Sequence, residues 1–196
     1  EKFFQIKSEA ESCTFSADIC DILYTTGTTG KSKGVMLSVP AWEAIADNLI
    51  HGLGFSRELL FIVSGPLNHI ASLCKIHPVL TVGGAVCILD GLKDMNAFFD
   101  VFNLPDKIDF IETGAAPISG SDMAQLSRAL PHSRLYNTLG GTEVGAVCCY
   151  NFNDGRFMEG CIGRPMRNSM LEVAEDGHIM ISGKTLMSGY VNRLLF

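Results

Sequence analysis

The chain is short of positive charge, has no paired cysteine motif and carries no long apolar run, and each lack removes a class of function. Fifteen Lys and Arg against twenty-one Asp and Glu leave a formal net charge of −6. That balance argues against a general binder of nucleic acid or anionic membrane, so any anion must be held by local geometry. No apolar stretch approaches the ~18 residues a membrane span requires, and no basic leader precedes an apolar segment. Seven cysteines, Cys13, Cys20, Cys74, Cys87, Cys148, Cys149 and Cys161, are scattered without a Cys-x-x-Cys pair. They fit neither a disulfide framework nor a zinc site, and point to a reducing, cytoplasmic setting. The adjacent pair Cys148-Cys149 is expected to pack in a strand, since neighbouring cysteines rarely meet disulfide geometry. There is no internal repeat, low-complexity tract or Pro/Ser linker.

What remains is an ordinary globular composition. With 196 residues, 47% hydrophobic and 18% charged, the chain can bury a core as one large domain or a domain with a small lobe. It opens at Glu1 and stops at Phe196 just after an apparent turn, so a segment of a longer protein is expected. Apolar strands at Cys20–Thr25, Val35–Leu37, Leu59–Val63, Ala85–Leu89 and Ile108–Ile111 alternate with helical patterns. These start at Ser38, a plausible N-cap, and cover about Ile70–Val82, Asp94–Phe102 and Ser121–Leu130, with Gly52, Gly54, Gly83, Gly84 and Pro131 as stops. Short apolar strands between helices predict an α/β fold with a mainly parallel sheet flanked by helices. After about Tyr136 the pattern turns to strands, at Ala146–Tyr150, Met170–Ala174 and His178–Ile181, with Asp176-Gly177 as a hairpin turn. The expected division is residues 1–135 as a nucleotide-binding core and 136–196 as the start of a small β-rich lobe.

The chemistry concentrates in residues 24–34, Tyr-Thr-Thr-Gly-Thr-Thr-Gly-Lys-Ser-Lys-Gly. Glycine lets backbone N–H groups approach an anion, threonine hydroxyls donate further bonds and lysine adds charge, so the segment is suited to phosphate and a nucleotide triphosphate is the expected ligand. Gly30-Lys31-Ser32 matches the second half of a Walker A loop. The first glycine of that pattern is missing, because Thr25 stands there, and the loop is followed by a strand pattern where a Walker loop opens into a helix.

The segment resembles the signature loop of the AMP-forming adenylate ligases, which include acyl-CoA synthetases, with Ser32 in place of the usual proline. Three further stretches resemble family elements in the family's order. Gly114-Ala115-Ala116-Pro117 resembles the adenine-side loop. Asn137-Thr138-Leu139-Gly140-Gly141-Thr142-Glu143 resembles the Asn-x-Tyr-Gly-x-Thr-Glu motif, with Leu139 where an aromatic normally stacks on adenine. Gly177 to Asn192 resembles the Gly-Glu…Met-x-Gly-Tyr-x-Asn segment, with His178 for Glu and with Tyr190 expected to pack in the core. Pro66-Leu67-Asn68-His69 is similar to the element whose histidine lies near the acyl pocket.

The resemblance implies a central fragment of the large domain of such an enzyme. It implies that ATP and a carboxylic acid form an acyl-adenylate and pyrophosphate, with coenzyme A as the usual acceptor and Mg²⁺ as the counter-ion. Thr25, Thr26, Gly27, Thr28, Thr29, Gly30 and Lys33 would hold phosphate, and Gly114, Ala115, Ala116, Pro117, Asn137, Leu139, Gly140 and Thr142 would hold the rest of the nucleotide. Thr25 and Glu143 would face the metal, and Lys33, Thr142, Glu143 and His69 would stand at the reaction centre. No general base is needed, because a carboxylate is already ionised at neutral pH. The family's C-terminal domain with its catalytic lysine would lie outside this chain, and a strand and helix usual in the family would be missing between Phe102 and Ile108. Two other readings stay open: a P-loop ATPase or kinase using Gly30-Lys31-Ser32, and a non-catalytic remnant of the ligase fold.

Overall fold

The computed structural model describes residues 16–25, 32–89, 108–154 and 158–191. In chain order the elements are β1 (Ile19–Thr25), β2 (Lys33–Ser38), α1 (Val39–Leu53), β3 (Leu60–Val63), α2 (Ile70–Thr81) and β4 (Ala85–Ile88). They continue with β5 (Phe110–Gly114), α3 (Gly120–Ala129), β6 (Arg134–Gly141), β7 (Gly145–Asn151), β8 (Arg164–Pro165), β9 (Ser169–Val173), β10 (Ile179–Gly183) and β11 (Gly189–Tyr190). The helix expected over Asp94–Phe102 and the short connection after it lie outside the described residues.

The α/β class holds, while the strand pairing is mixed where a mainly parallel sheet was expected. β3–β4 and β5–β6 run parallel, and β1–β2, β2–β11, β6–β7, β7–β8 and β9–β10 run antiparallel. Helical crossovers produce the parallel pairs, whereas the short glycine-containing connections around β2, β7 and β10 can join only antiparallel neighbours. β6 belongs to both regimes, parallel to β5 and antiparallel to β7, so the expected division after residue 135 falls inside a strand. β5 also begins and ends later than its apolar run, because its partner β6 extends the pairing through Glu112, Thr113 and Gly114.

α1 is the central support. Ser38 caps it, its Oγ accepting from Ala41 N at 3.3 Å, and Pro40 sits in the first turn where its missing N–H costs nothing. Gly54, at φ +67°, ends it with its N–H bonded to the Ile50 carbonyl, a conformation glycine adopts without steric cost. Ile45, Leu49 and Leu53 are fully buried against Leu23, Val35 and Leu37 of the hairpin, Ile70, Cys74 and Val79 of α2, and Ala146 of β7. Phe55, Phe61 and Phe110 add an aromatic cluster with ring centroids 5.7–5.8 Å apart. A second cluster of Met123, Leu130, Leu135 and Phe152 packs α3 on the far strands.

Two polar groups fix α1 in register. Asn48 is fully buried. Its Nδ2 donates to the Ala146 carbonyl at 2.9 Å and to Ser169 Oγ at 3.0 Å, and its Oδ1 accepts from Asn168 N at 2.7 Å. Arg134 donates to the Leu53 carbonyl at 2.6 Å and to Asp109 at 2.7 Å, placing a cation at the helix C-terminus where the dipole favours it. Cys148 and Cys149 lie in β7. Burial first, then its neighbour Cys149, pushes the Cys148 thiol up to about 11.

Asn48→Leu keeps the volume but strips three partners of their bonds, so we expect a loss of about 2–4 kcal/mol, read as a lower urea midpoint. An unchanged midpoint would show that the network contributes nothing. Cys148 should resist iodoacetamide in the native protein at pH 8 and react once denaturant is added, because a thiol with its raised pKa stays protonated well above that pH. Native labelling as fast as at the half-buried Cys161 would contradict this assignment.

Candidate active site

The hairpin that carries the phosphate segment is closed by the pair Thr25 and Lys33, which face each other across β1 and β2. Thr26, Gly27, Thr28, Thr29 and Gly30, with Lys31, lie outside the described residues. The strand that follows them is antiparallel to the one before. A Walker loop passes from strand into helix, so this geometry removes the P-loop reading of Gly30-Lys31-Ser32.

Three distant segments meet beside Lys33. β11 pairs with β2 so that Tyr190 opposes Val35, and the Tyr190 ring centroid lies 5.0 Å from Lys33 Nζ. The Tyr190 hydroxyl donates to Glu143 Oε1 at 3.0 Å. Glu143 sits in the tight turn between β6 and β7, where Val144 N bonds back to the Gly141 carbonyl at 3.3 Å and Met187 N bonds the Glu143 carbonyl at 2.8 Å. A cation over an aromatic face and a hydroxyl on a carboxylate thus join the phosphate hairpin to the Thr142-Glu143 turn. The expected core role of Tyr190 is corrected: its side chain is 40% exposed and bridges two charged residues. Burial first and then Glu143 raise its pKa, which keeps the hydroxyl a donor at neutral pH.

A cavity of about 480 Å³ opens next to this network, within the size range of small-molecule sites. One wall is the start of α2, from His69 to Ser72 with Cys74 and Lys75, and the other is the end of β5 and the β6–β7 turn. His69 has two roles here. It caps α2, its Nδ1 accepting from Ala71 N at 3.2 Å, and it lines the cavity. Gly114, Ala115, Leu139, Gly140 and Thr142 also line it. Ala116 and Pro117 are exposed beyond its rim, and Asn137 turns to Thr113, whose hydroxyl lies 3.4 Å from Asn137 Oδ1. Ala115 holds a left-handed φ of +63°, strain of a kind that concentrates at functional sites. A Cβ on Gly114 would stand 2.7 Å from Thr138 Oγ1, so only glycine lets the two strands close here.

The buried end of the cavity holds a pair that the motifs did not reveal. Lys75 Nζ donates to Glu112 Oε1 at 2.9 Å, with side-chain exposures of 4% and 12%, and the Thr138 hydroxyl donates to the same oxygen. Burial pulls the Lys75 pKa down, but Cys74 and Glu112 outweigh it and leave it raised. Cys74 is itself a thiol whose pKa burial raises, and Glu112 is the hydrogen-bond acceptor of Lys75. The sequence did carry a sign of Lys75: it falls between Cys74 and Val79 on the buried stripe of α2, where a lone lysine is unusual.

Among the described residues no three His, Cys, Asp or Glu side chains group as a metal cage. Glu143 contributes one carboxylate, whose Oε1 accepts from Tyr190; a single carboxylate could hold a magnesium ion only together with phosphates of a substrate.

A small-residue loop after a parallel strand and the β6–β7 turn line one cavity, and the β1–β2 hairpin meets that turn through Tyr190, an arrangement that fits the adenylate-forming type. The chain belongs to the family described as AMP-binding enzyme, whose sequence model matches residues 4–103 and 103–191. It is 24% identical to the 2-succinylbenzoate–CoA ligase of Enterococcus faecalis, over 97% of this chain and 45% of that protein. It is 23% identical to the D-alanine–D-alanyl carrier protein ligase of Listeria monocytogenes, over 98% of this chain and 46% of that protein. The solved structure of O-succinylbenzoate coenzyme A synthetase from Bacillus subtilis, in complex with ATP and magnesium ion, shares the fold with a TM-score of 0.78 at 20% identity, over 95% of this chain and 47% of that one. The chain therefore spans less than half the length of these relatives. The Listeria alignment runs over 236 positions against 196 residues here, so at least 40 positions of that relative have no counterpart in this chain. The two family matches meet at residue 103, beside the connection where the sequence suggested a missing strand and helix.

Tyr190→Phe keeps the ring over Lys33 and removes the donor to Glu143. It is expected to weaken Mg-ATP binding about 10-fold, the low end of what loss of such a supporting bond costs, with Tyr190→Ala weaker still. Titration by thermal shift measures both, and wild-type affinity in Tyr190→Phe would remove the bridge from the site.

Proposed function

We propose that this chain is the nucleotide-gripping part of an enzyme that activates a carboxylic acid with ATP, forming an acyl-adenylate and pyrophosphate before transfer to a thiol, coenzyme A being the acceptor we favour. The observation that carries the proposal is the convergence of Lys33, Tyr190 and Glu143, from three separate segments, beside a cavity that Thr142, Gly114 and His69 line.

An ionised carboxylate oxygen attacks the α-phosphorus of ATP. The new oxygen–phosphorus bond forms as the bond to the β-phosphate oxygen breaks, and pyrophosphate leaves with the electron pair. No proton moves in this step, because the attacking carboxylate is already ionised at neutral pH. The difficulty is the approach of one anion to another, so the protein's contribution is fixed positive charge and oriented donors. Lys33 supplies charge to the β- and γ-phosphates, with Thr25 and residues 26–30 as further donors. Thr142 would face phosphate, and Glu143 would hold the magnesium of Mg-ATP, whose charge offsets that of the leaving pyrophosphate. Tyr190 keeps Lys33 and Glu143 apart yet aligned. The base lies against Gly114, Ala115 and Leu139, where an aliphatic side chain gives an apolar surface without aromatic stacking. His69 stands at the acyl side.

We place the protein in a reducing, cytoplasmic compartment. The cysteines of the described residues are all free, and no helix among those residues is long and apolar enough to cross a membrane.

The test is carboxylate-dependent exchange of labelled pyrophosphate into ATP by the full-length protein that contains this chain, with AMP, not ADP, released once the thiol acceptor is added. Lys33→Ala is expected to lower exchange by 10²-fold or more, the loss of one charge stabilising the transferring phosphates, and Lys31→Ala is expected to lower it less. Release of ADP, or a Lys31→Ala effect larger than that of Lys33→Ala, would overturn the assignment. Absence of both exchange and Mg-ATP stabilisation would instead identify a fold that has lost its chemistry.

A further inference from the structure

The Lys75–Glu112 pair is a costly object to place at the end of a cavity. Two charges removed from water are held only if hydrogen bonds answer the remaining donors and acceptors. Here the pair shares a single oxygen, Glu112 Oε1, which also takes the Thr138 hydroxyl. Among the described residues Lys75 Nζ bonds only to Glu112 and Glu112 Oε2 accepts no bond; no fully buried side-chain N or O there lacks a partner, so Oε2 keeps contact with solvent and two lysine N–H groups are unanswered by protein. Both side chains line the same cavity as His69 and Thr142. They are also more buried than His69 at its mouth.

We propose that Lys75 and Glu112 form the specificity end of the acyl pocket and select an acid whose far end carries a hydroxyl group. The inference rests on the adenylation reading for its location, and on the unanswered valences of the pair for its chemistry. A hydroxyl can do both things the pair requires: its oxygen accepts from a Lys75 N–H while its proton goes to Glu112 Oε2. Other tails fail for separate reasons. A second carboxylate would meet the Glu112 charge, and an ammonium would meet Lys75. An unsubstituted alkyl end would exclude water from the pair and return no hydrogen bond, leaving buried polar groups unpaired. Sites built around a substrate hydroxyl discriminate strongly against the analogue without it for this reason. Thr138 acts as a positioning residue, fixing the Glu112 carboxylate through Oε1 and leaving Oε2 without a bond to it. Gly114 permits that contact, since a side chain there would collide with the Thr138 hydroxyl.

The experiment compares four acids of equal length, 8-hydroxyoctanoate, octanoate, octanedioate and 8-aminooctanoate, in pyrophosphate exchange and in thermal-shift titration, using the full-length protein. The hydroxy acid is expected to exceed octanoate in kcat/KM by at least about 10²-fold, with the diacid and the amino acid below it, and to give the largest stabilisation. The double variant Lys75→Met with Glu112→Leu replaces the pair by apolar groups, a change that buried ion pairs often tolerate, and should reverse the preference towards octanoate. If that variant does not fold, the wild-type comparison still decides. Exchange with octanoate at least as efficient as with the hydroxy acid overturns the selectivity while leaving adenylation intact. Selective stabilisation by the hydroxy acid without exchange supports the pocket and overturns adenylation. Neither exchange nor selective stabilisation with any of the four overturns the pocket chemistry.

Discussion

The position of α1 depends on a buried amide. Asn48 reaches from the middle of the helix to the Ala146 carbonyl of β7, to Ser169 at the start of β9 and to the backbone of Asn168. Apolar packing around Ile45, Leu49 and Leu53 is non-directional and would accept several rotations of the helix. Three hydrogen bonds with fixed donors and acceptors accept one. That rotation seats the hairpin β1–β2 on one side of α1 and β7 on the other, and so determines how far Lys33 stands from Glu143. Arg134 adds a second fixed point at the end of the helix, tying it to the first residue of β6, the strand whose other end enters the candidate site.

Much of this was legible in the sequence because local rules and tertiary structure agree. Ser38 caps α1 and Gly54 ends it, Gly83-Gly84 follow α2, Ser119 caps α3, and Asp176-Gly177 turns β9 into β10, each at or within a residue or two of the expected place. The strand direction was less legible. Apolar runs in β3, β4 and β5 suggested a parallel sheet, but direction is set by connections, and β7 returns after a three-residue turn that no hydrophobic pattern marks. The ends of β5 and the whole of β6 were hidden because Glu112, Thr113, Asn137 and Thr138 are polar. Their strand state comes from the pairing of β5 with β6, at a constant offset of 24 residues.

The site divides in the same way. Motif spacing identified residues whose role depends on backbone, such as Gly114 and the Thr142-Glu143 turn. It missed residues whose role depends on meeting a distant partner. Tyr190 looked like a core aromatic because alternation on a two-residue strand gives no reliable inward face, and its contacts with Lys33 and Glu143 exist only once β11 has paired with β2. Lys75 and Glu112 are each anomalous for a buried position, and the anomaly becomes informative only when the two are seen to neutralise one another.

The strand that completes the phosphate hairpin comes from far along the chain. β1 and β2 can pair as soon as they are made, yet β11, which brings Tyr190 over Lys33, is separated from them by about 150 residues of intervening fold. During synthesis Lys33 therefore emerges long before Tyr190, and a nascent chain that has reached only β7 lacks the aromatic ring that stands over it. The contact that orients Lys33 is therefore among the later ones that the described elements can make as the chain emerges.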